Sequence, residues 1–342
     1  GAINVGSNTL TVSSGGAITQ TGALTAGTLA ISNTSGDITL TNGSNNITNL
    51  GTSTAYGAFS LDNATNDLSL TGTVETRDNS GGAITIDVGT GSLDTADQLI
   101  NSRDGDDSNN DSGTITLIAD TIDLGTTADK ITTTGAVILK PDTANTAINI
   151  STASAENAGT GFDLSTNEVE AVNNTTSKLT IGKVSGSSAG AVALSADVYD
   201  FASLEVLGNG ITVGGAITTS NDTDLDLDGD TITVSAGVTT GSGSITLEAD
   251  TGITISGVAL TTTGAAIDLG SAAITLDTGA VTLTTGSGTA GNISQSGNVN
   301  GAQNLTVEAG SGTVSVGTIG NSTAVGALTI DGSGGITLNG NV

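Results

Sequence analysis

Aliphatic and polar positions alternate along this chain in short bursts. Between Gly241 and Leu283 an aliphatic residue, a short polar one and a second aliphatic recur as Ile245-Thr246-Leu247, Ile253-Thr254-Ile255, Ile267-Asp268-Leu269, Ile274-Thr275-Leu276 and Val281-Thr282-Leu283. Successive side chains of a strand point to opposite faces, so each phrase predicts two aliphatics inside and one hydroxyl or carboxylate outside. The phrase begins early, at Leu10-Thr11-Val12, Ile38-Thr39-Leu40, Leu68-Ser69-Leu70 and Ile84-Thr85-Ile86, and resumes at Ile115-Thr116-Leu117 and Leu179-Thr180-Ile181. It persists through Leu204-Glu205-Val206, Leu225-Asp226-Leu227, Leu305-Thr306-Val307 and Leu328-Thr329-Ile330 to Ile336-Thr337-Leu338.

Between phrases stand Ser13-Ser14-Gly15-Gly16, Asn42-Gly43-Ser44 and Gly81-Gly82, the residue types that tight corners require. Groups of phrases recur after roughly twenty residues, which predicts coils of about three short strands and about seventeen coils in all. The expected fold is all-β, a parallel β-helix (β-solenoid), continuous from residue 1 to 342 as one domain. Loop excursions are expected near 101–112, where NSRDGDDSNNDS offers no inward residue, and near 151–178, where the pattern weakens. The single proline, Pro141, falls at a corner, where a missing amide hydrogen does least harm. Thr, Ser, Gly and Asn dominate, a composition that opposes helix.

Composition narrows the picture further. Hydrophobic residues make up 35% and aromatics 1%, which suits a thin core one side chain deep. With 6 Lys and Arg against 34 Asp and Glu, the net charge of −28 argues against nucleic acid and anionic membrane surfaces as partners. It leaves cations and cationic surfaces, and like-charge repulsion keeps such a β body soluble. No Cys, Met, Trp or His is present, so disulfides, thiolate sites and Cys nucleophiles are excluded. The chain shows no charged-then-apolar leader and no apolar run long enough for a membrane span, which suggests a mature or excised segment without insertion into a membrane.

The phrase in its GxITLxxxxGITIxG form, with little Cys, His or Pro, resembles the repeat shafts of filamentous-haemagglutinin-like exoproteins and related autotransporter passengers. The resemblance implies a right-handed parallel β-helix exported by two-partner or autotransporter-type secretion. It further implies a bacterial cell-surface or extracellular location and a role in adhesion, aggregation or biofilm, with a glycan of a host cell, neighbouring cell or matrix as partner. The family's amino-terminal Asn-Pro-Asn motif is missing, since Pro141 follows Lys140, and nothing here would form a membrane barrel. A second reading is the subunit of a filament that self-associates head to tail, because both termini look uncapped.

Two acidic stretches are candidate metal sites. In Asp222-Thr223-Asp224-Leu225-Asp226-Leu227-Asp228-Gly229-Asp230, inward Leu225 and Leu227 would align Asp224, Asp226 and Asp228 outside, with Asp222 and Asp230 flanking them. The opening spacing from Asp224 resembles a helix-loop-helix calcium loop, but its twelfth position is Ser235 instead of a bidentate Glu. Calcium could bridge carboxylates of adjacent coils there, or in the stretch holding Asp104, Asp106, Asp107 and Asp111; the alternative in both places is a solvated acidic face. Among aromatics, Tyr199 and Phe201 would fill the core or offer a sugar platform. Outward threonines such as Thr9 and Thr11, or Thr114 and Thr116, are too often interrupted elsewhere by Ser, Asp, Glu and Ala to form an ice-binding ladder. Parallel β-helices also include polysaccharide lyases, but without His, and with only Arg77, Arg103, Lys130, Lys140, Lys178 and Lys183 as cations, acid-base chemistry has few candidates, and no catalysis is expected.

Overall fold

The computed structural model describes residues 1–78, 82–104, 112–151, 162–183, 190–195, 197–219, 222–288 and 291–341. It is nearly all β, with parallel strands stacked into a β-solenoid of about 14 turns. The chain divides into two units, Gly1–Ile148 with Ala153–Gly182, and Asn149–Thr152 with Lys183–Val342.

In the first unit each coil has three faces. Strands Leu24–Asn33 and Asn46–Ala55 run across two of them. Later coils split that path into separate strands, Leu68–Leu70, Ser92–Asp94 and Thr121–Asp123 on one face, and Val74–Asp78, Ile100–Asp104 and Ile131–Thr132 on the next. The third face carries Ile38–Leu40, Phe59–Asp62, Ile84–Asp87, Ile115–Ile118, Ala136–Lys140 and Lys178–Gly182. There the expected inward residues stack in register. Ile38, Phe59, Ile84, Ile115, Val137 and Leu179 form one buried column, and Leu40, Leu61, Ile86, Leu117, Leu139 and Ile181 the next. Each such side chain removed from water contributes about 1.5–3 kcal/mol.

The second unit repeats the plan. Ser203–Val213, Asp224–Val234 and Ile245–Ile255 cover two faces, and Ile217–Thr219, Val238–Thr239, Ala259–Thr261, Val281–Thr284, Leu305–Glu308 and Leu328–Asp331 the third. Leu204, Leu225, Ile245, Ile267, Ile293 and Val314 form a buried column.

The number of turns is smaller than the expected seventeen because coils vary in length. Ile18 pairs with Ile38, twenty positions on, but Ile84 pairs with Ile115 and Val137 with Leu179. The longer coils contain the two stretches where loop excursions were expected. Of the first, residues 105–111 lie outside the described residues, and residues 101–104 continue strand Ile100–Asp104 in register beside Val74–Asp78. Of the second, residues 152–161 lie outside the described residues; Phe162–Ser165 is a strand and Thr166–Glu170 an α-helix.

Corners are made by short polar residues. Asp62 and Asp87 sit one above the other at strand ends, and each carboxylate accepts the amide two residues on, Ala64 N at 2.7 Å and Gly89 N at 2.8 Å. The accepting turn drives the chain into the left-handed region, with φ of 58° at Ala64 and 56° at Gly89. Glycine is needed at 89 for a second reason: a Cβ there would fall 2.3 Å from the Ala64 carbonyl oxygen of the coil below.

Candidate functional site

The acidic side chains are this chain's only abundant chemistry, and the fold uses many of them to build itself. Asp94, Asp123 and Asp268 close the same two-residue turn as Asp62 and Asp87, accepting from Ala96, Gly125 and Gly270 at 2.7, 2.8 and 3.0 Å. A second set joins one coil to the next. Asp37 accepts Ala58 N at 2.9 Å, Asp67 accepts Ser92 N at 2.8 Å, and Asp120 accepts Thr143 N at 2.7 Å. Asp97 takes the amides of Thr126 and Thr127 at 2.9 and 2.8 Å. Those amides, with the Thr127 hydroxyl, hold the Asp97 carboxyl below its ordinary range. Asn292, Asn300 and Asn304 do the same work as amides, accepting from Thr313, Ser322 and Ala327.

The stretch from Asp222 to Asp230 is placed as the alternation predicts. Leu225, Leu227 and Gly229 are buried while Asp224, Asp226 and Asp228 face outward. Two of its carboxylates are committed to the next coil: Asp222 accepts from the Ser242 hydroxyl, and Asp224 accepts both the amide and hydroxyl of Ser244 at 2.7 Å. Along the stack Asp226 lies beside Glu205 and Thr246, and Asp228 beside Leu207 and Glu248. Partial burial pushes the Asp228 carboxyl up, and repulsion from Asp250, Glu205 and Asp230 adds to it. No Lys or Arg follows Lys183, whereas fourteen Asp and Glu do. Among the described residues no three acidic side chains converge as metal ligands would. Of the second candidate set, Asp104 ends strand Ile100–Asp104 beside Asp78, and Asp106, Asp107 and Asp111 lie outside the described residues.

Tyr199 and Phe201 are buried, at 1% and 6% exposure, so they fill the core and cannot serve as sugar platforms. Tyr56 is exposed. In the second unit Ile274, Leu283, Val299, Leu305 and Val307 line an apolar cavity of about 20 Å³, far below the several hundred Å³ of an organic ligand site. An open hollow of about 480 Å³ lies over Thr284, Ser287, Glu308, Gly310, Ser311, Asp331 and Ser333.

One set of polar residues escaped the sequence reading. Thr240, Thr262 and Thr285 are buried in successive coils, and each hydroxyl donates to a carbonyl across its own corner, Gly243, Ala265 and Gly291, at 2.6–2.9 Å. The signal was an aliphatic residue followed by two threonines, at 217–219, 238–240, 260–262 and 283–285. Period-two alternation carries the second threonine inward.

Residues 1–54 match a family described as repeats of unknown function (DUF5649). They run from the first strand, Ile3–Asn4, nearly to the end of Asn46–Ala55. Neither a curated protein nor a solved structure matches the chain.

Proposed function

We propose that this chain is the structural shaft of a bacterial surface adhesin, extracellular and non-catalytic, which holds a binding activity away from the cell. The observation that supports this reading most is the register of its stacked columns. Each coil buries its apolar residues against the coils before and after it, so added coils extend one core instead of enclosing a pocket. The carboxylates fit the same role: at the corners they accept backbone amides, and on the outer faces they carry the charge that keeps stacked β coils from associating. The resemblance to filamentous-haemagglutinin-like shafts supplies the adhesive setting, with a surface or matrix glycan as the partner class. Calcium, in this reading, would at most screen the outer carboxylates.

The test is made in the organism that encodes the chain. Antibodies against it should label intact cells, protease added outside should remove the label, and deletion of its coding segment should reduce attachment to matrix-coated surfaces. A chain that stays protected until cells are lysed would overturn the proposal. Ile3, Ile336 and Leu338 are about half exposed, at 47%, 48% and 51%. Sedimentation at rising concentration tests the filament reading: head-to-tail assembly gives a steadily growing species, and a shaft segment gives a constant one.

A further inference from the structure

The helix Thr166–Glu170 interrupts the first unit where two rows of strands end. Among the described residues, Thr121–Asp123 is the last strand of one row and Ile131–Thr132 the last of the adjacent one. The amides and carbonyls at such an edge would accept an added strand. Here the residues that follow the helix take their place beside Ile131, with which Val172 forms a parallel bridge. The Lys130 and Ile131 amides both donate to the Ala171 carbonyl at 2.8 Å, and the Ile131 carbonyl accepts the Asn173 amide at 2.9 Å.

The Leu124 amide, just past Thr121–Asp123, donates to a side chain, Glu168 Oε1, at 3.2 Å. The other oxygen, Oε2, accepts the Ser165 amide at 2.8 Å, and the Ser165 hydroxyl accepts the Glu168 amide at 3.3 Å. One carboxyl therefore closes the capping box of the helix and ties the helix to the strand edge. A five-residue helix is too short to persist alone, so its place depends on these ties and on buried Val169, Ala171 and Val172. Glu168 is only 4% exposed. The charged groups on the surrounding elements are mostly acidic: Asp123 on the edge strand, Asp163 on Phe162–Ser165, Glu170 on the helix itself, and Asp129 and Lys130 in the turn before Ile131.

We propose that Ser165–Val172 is a plug over the end of this sheet and that Glu168 is its latch, fastened more tightly in acid than at neutral pH. Ionised, the carboxylate keeps both amides but is buried beside Asp123; protonated, it no longer bears a buried charge. Burial pushes this carboxyl up, the Ser165 and Leu124 amides oppose it, and Asp123 adds repulsion. The plugged state therefore binds the proton more strongly than an opened state in which Glu168 meets water. By linkage, plugging strengthens as pH falls through the window between the ordinary carboxylate value and the raised one, and weakens as pH rises through it. Opening frees the Leu124, Lys130 and Ile131 amides from these partners. The inference does not depend on the chain being a shaft.

Hydrogen exchange on the full chain tests it, read as protection corrected for intrinsic exchange. Between about pH 7.5 and pH 5, protection at Leu124, Lys130, Ile131 and Ser165 should rise roughly three- to tenfold, by more than any rise at Ile84 and Ile115. In Glu168→Gln the level should fall, because the new amide nitrogen faces one of the two N–H donors, and the pH response should vanish. Asp123→Asn retains an acceptor for the Gly125 turn and should raise protection at neutral pH. A wild-type response no larger at the plug than at Ile84 and Ile115, or one undiminished in Glu168→Gln, would overturn the proposal. If Glu168→Gln does not fold, the wild-type titration and Asp123→Asn still decide.

Discussion

At the scale of single residues, polar side chains in this fold substitute for backbone. Asn63 is fully buried and pairs with Ile47 as another strand would: its Oδ1 accepts the Ile47 amide at 2.8 Å and its Nδ2 donates to the Ile47 carbonyl at 2.9 Å. Truncation leaves two buried peptide groups without these bonds, so Asn63→Ala should lower the stability measured by urea unfolding by about 2–3 kcal/mol. Asn63→Asp should cost at least as much at neutral pH, because a carboxylate oxygen would face the Ile47 carbonyl. Asn63 was not legible in the sequence. Nothing in Asp62-Asn63-Ala64 states that the Ile47 amide, sixteen positions back, comes to rest beside it. The acidic residues of the 222–230 stretch were legible as outward-facing, and Asp224, Asp226 and Asp228 lie where alternation puts them. Their division into turn-closing, coil-joining and mutually repelling carboxylates needed the register.

At the scale of the strand, the three-residue phrase carries most of the structural information. Ile115 is buried and Thr116 faces outward between Thr85 and Ile138. Ile115→Ala should cost about 2–5 kcal/mol through lost burial and the cavity left behind. Thr116→Ala should stay within about 1 kcal/mol, the span of strand propensities. Equal losses at the two positions would contradict the assigned facing. This part of the fold could be read directly, because period two is local. Coil length could not, since the residues between phrases set it. Asp87 meets Asp62 from twenty-five positions away, yet the next coil adds enough chain that Asp87 meets Ile118. The helix was also out of reach: Ser165-Thr166-Asn167-Glu168 is a capping box in sequence, but its five-residue helix is fixed by the strand edge beneath it.

Across the whole molecule, charge and repetition govern stability. Asp87, Glu168 and Asp228 all have carboxyls pushed up by burial, so the folded state holds protons more tightly at these positions than the unfolded one. Their contribution destabilises at neutral pH and is relieved as pH falls through the raised values. Thermal unfolding should therefore move to higher temperature on mild acidification, and Asp228→Asn should capture part of that gain at neutral pH, a few tenths to about 1 kcal/mol. Repetition makes the second prediction. Leu225 stacks on Leu204 below and on Ile245 above, twenty positions on, and Ile232 stacks likewise on Ile211 and Ile253. Excising residues 225–244 removes one register repeat, so the Leu204 column should meet Ile245 directly and Ile217 should meet Leu260 on the third face, where Val238 now separates them. In a nearest-neighbour solenoid such a deletion replaces two coil interfaces with one. The shortened chain should keep its β-rich circular dichroism and unfold cooperatively at a temperature lower by a few degrees. A chain that loses its fold altogether would mean that distant parts, and not adjacent coils, determine stability. Removing residues 225–234 alone is the control, since that half-coil cut disrupts the third-face register and should abolish folding.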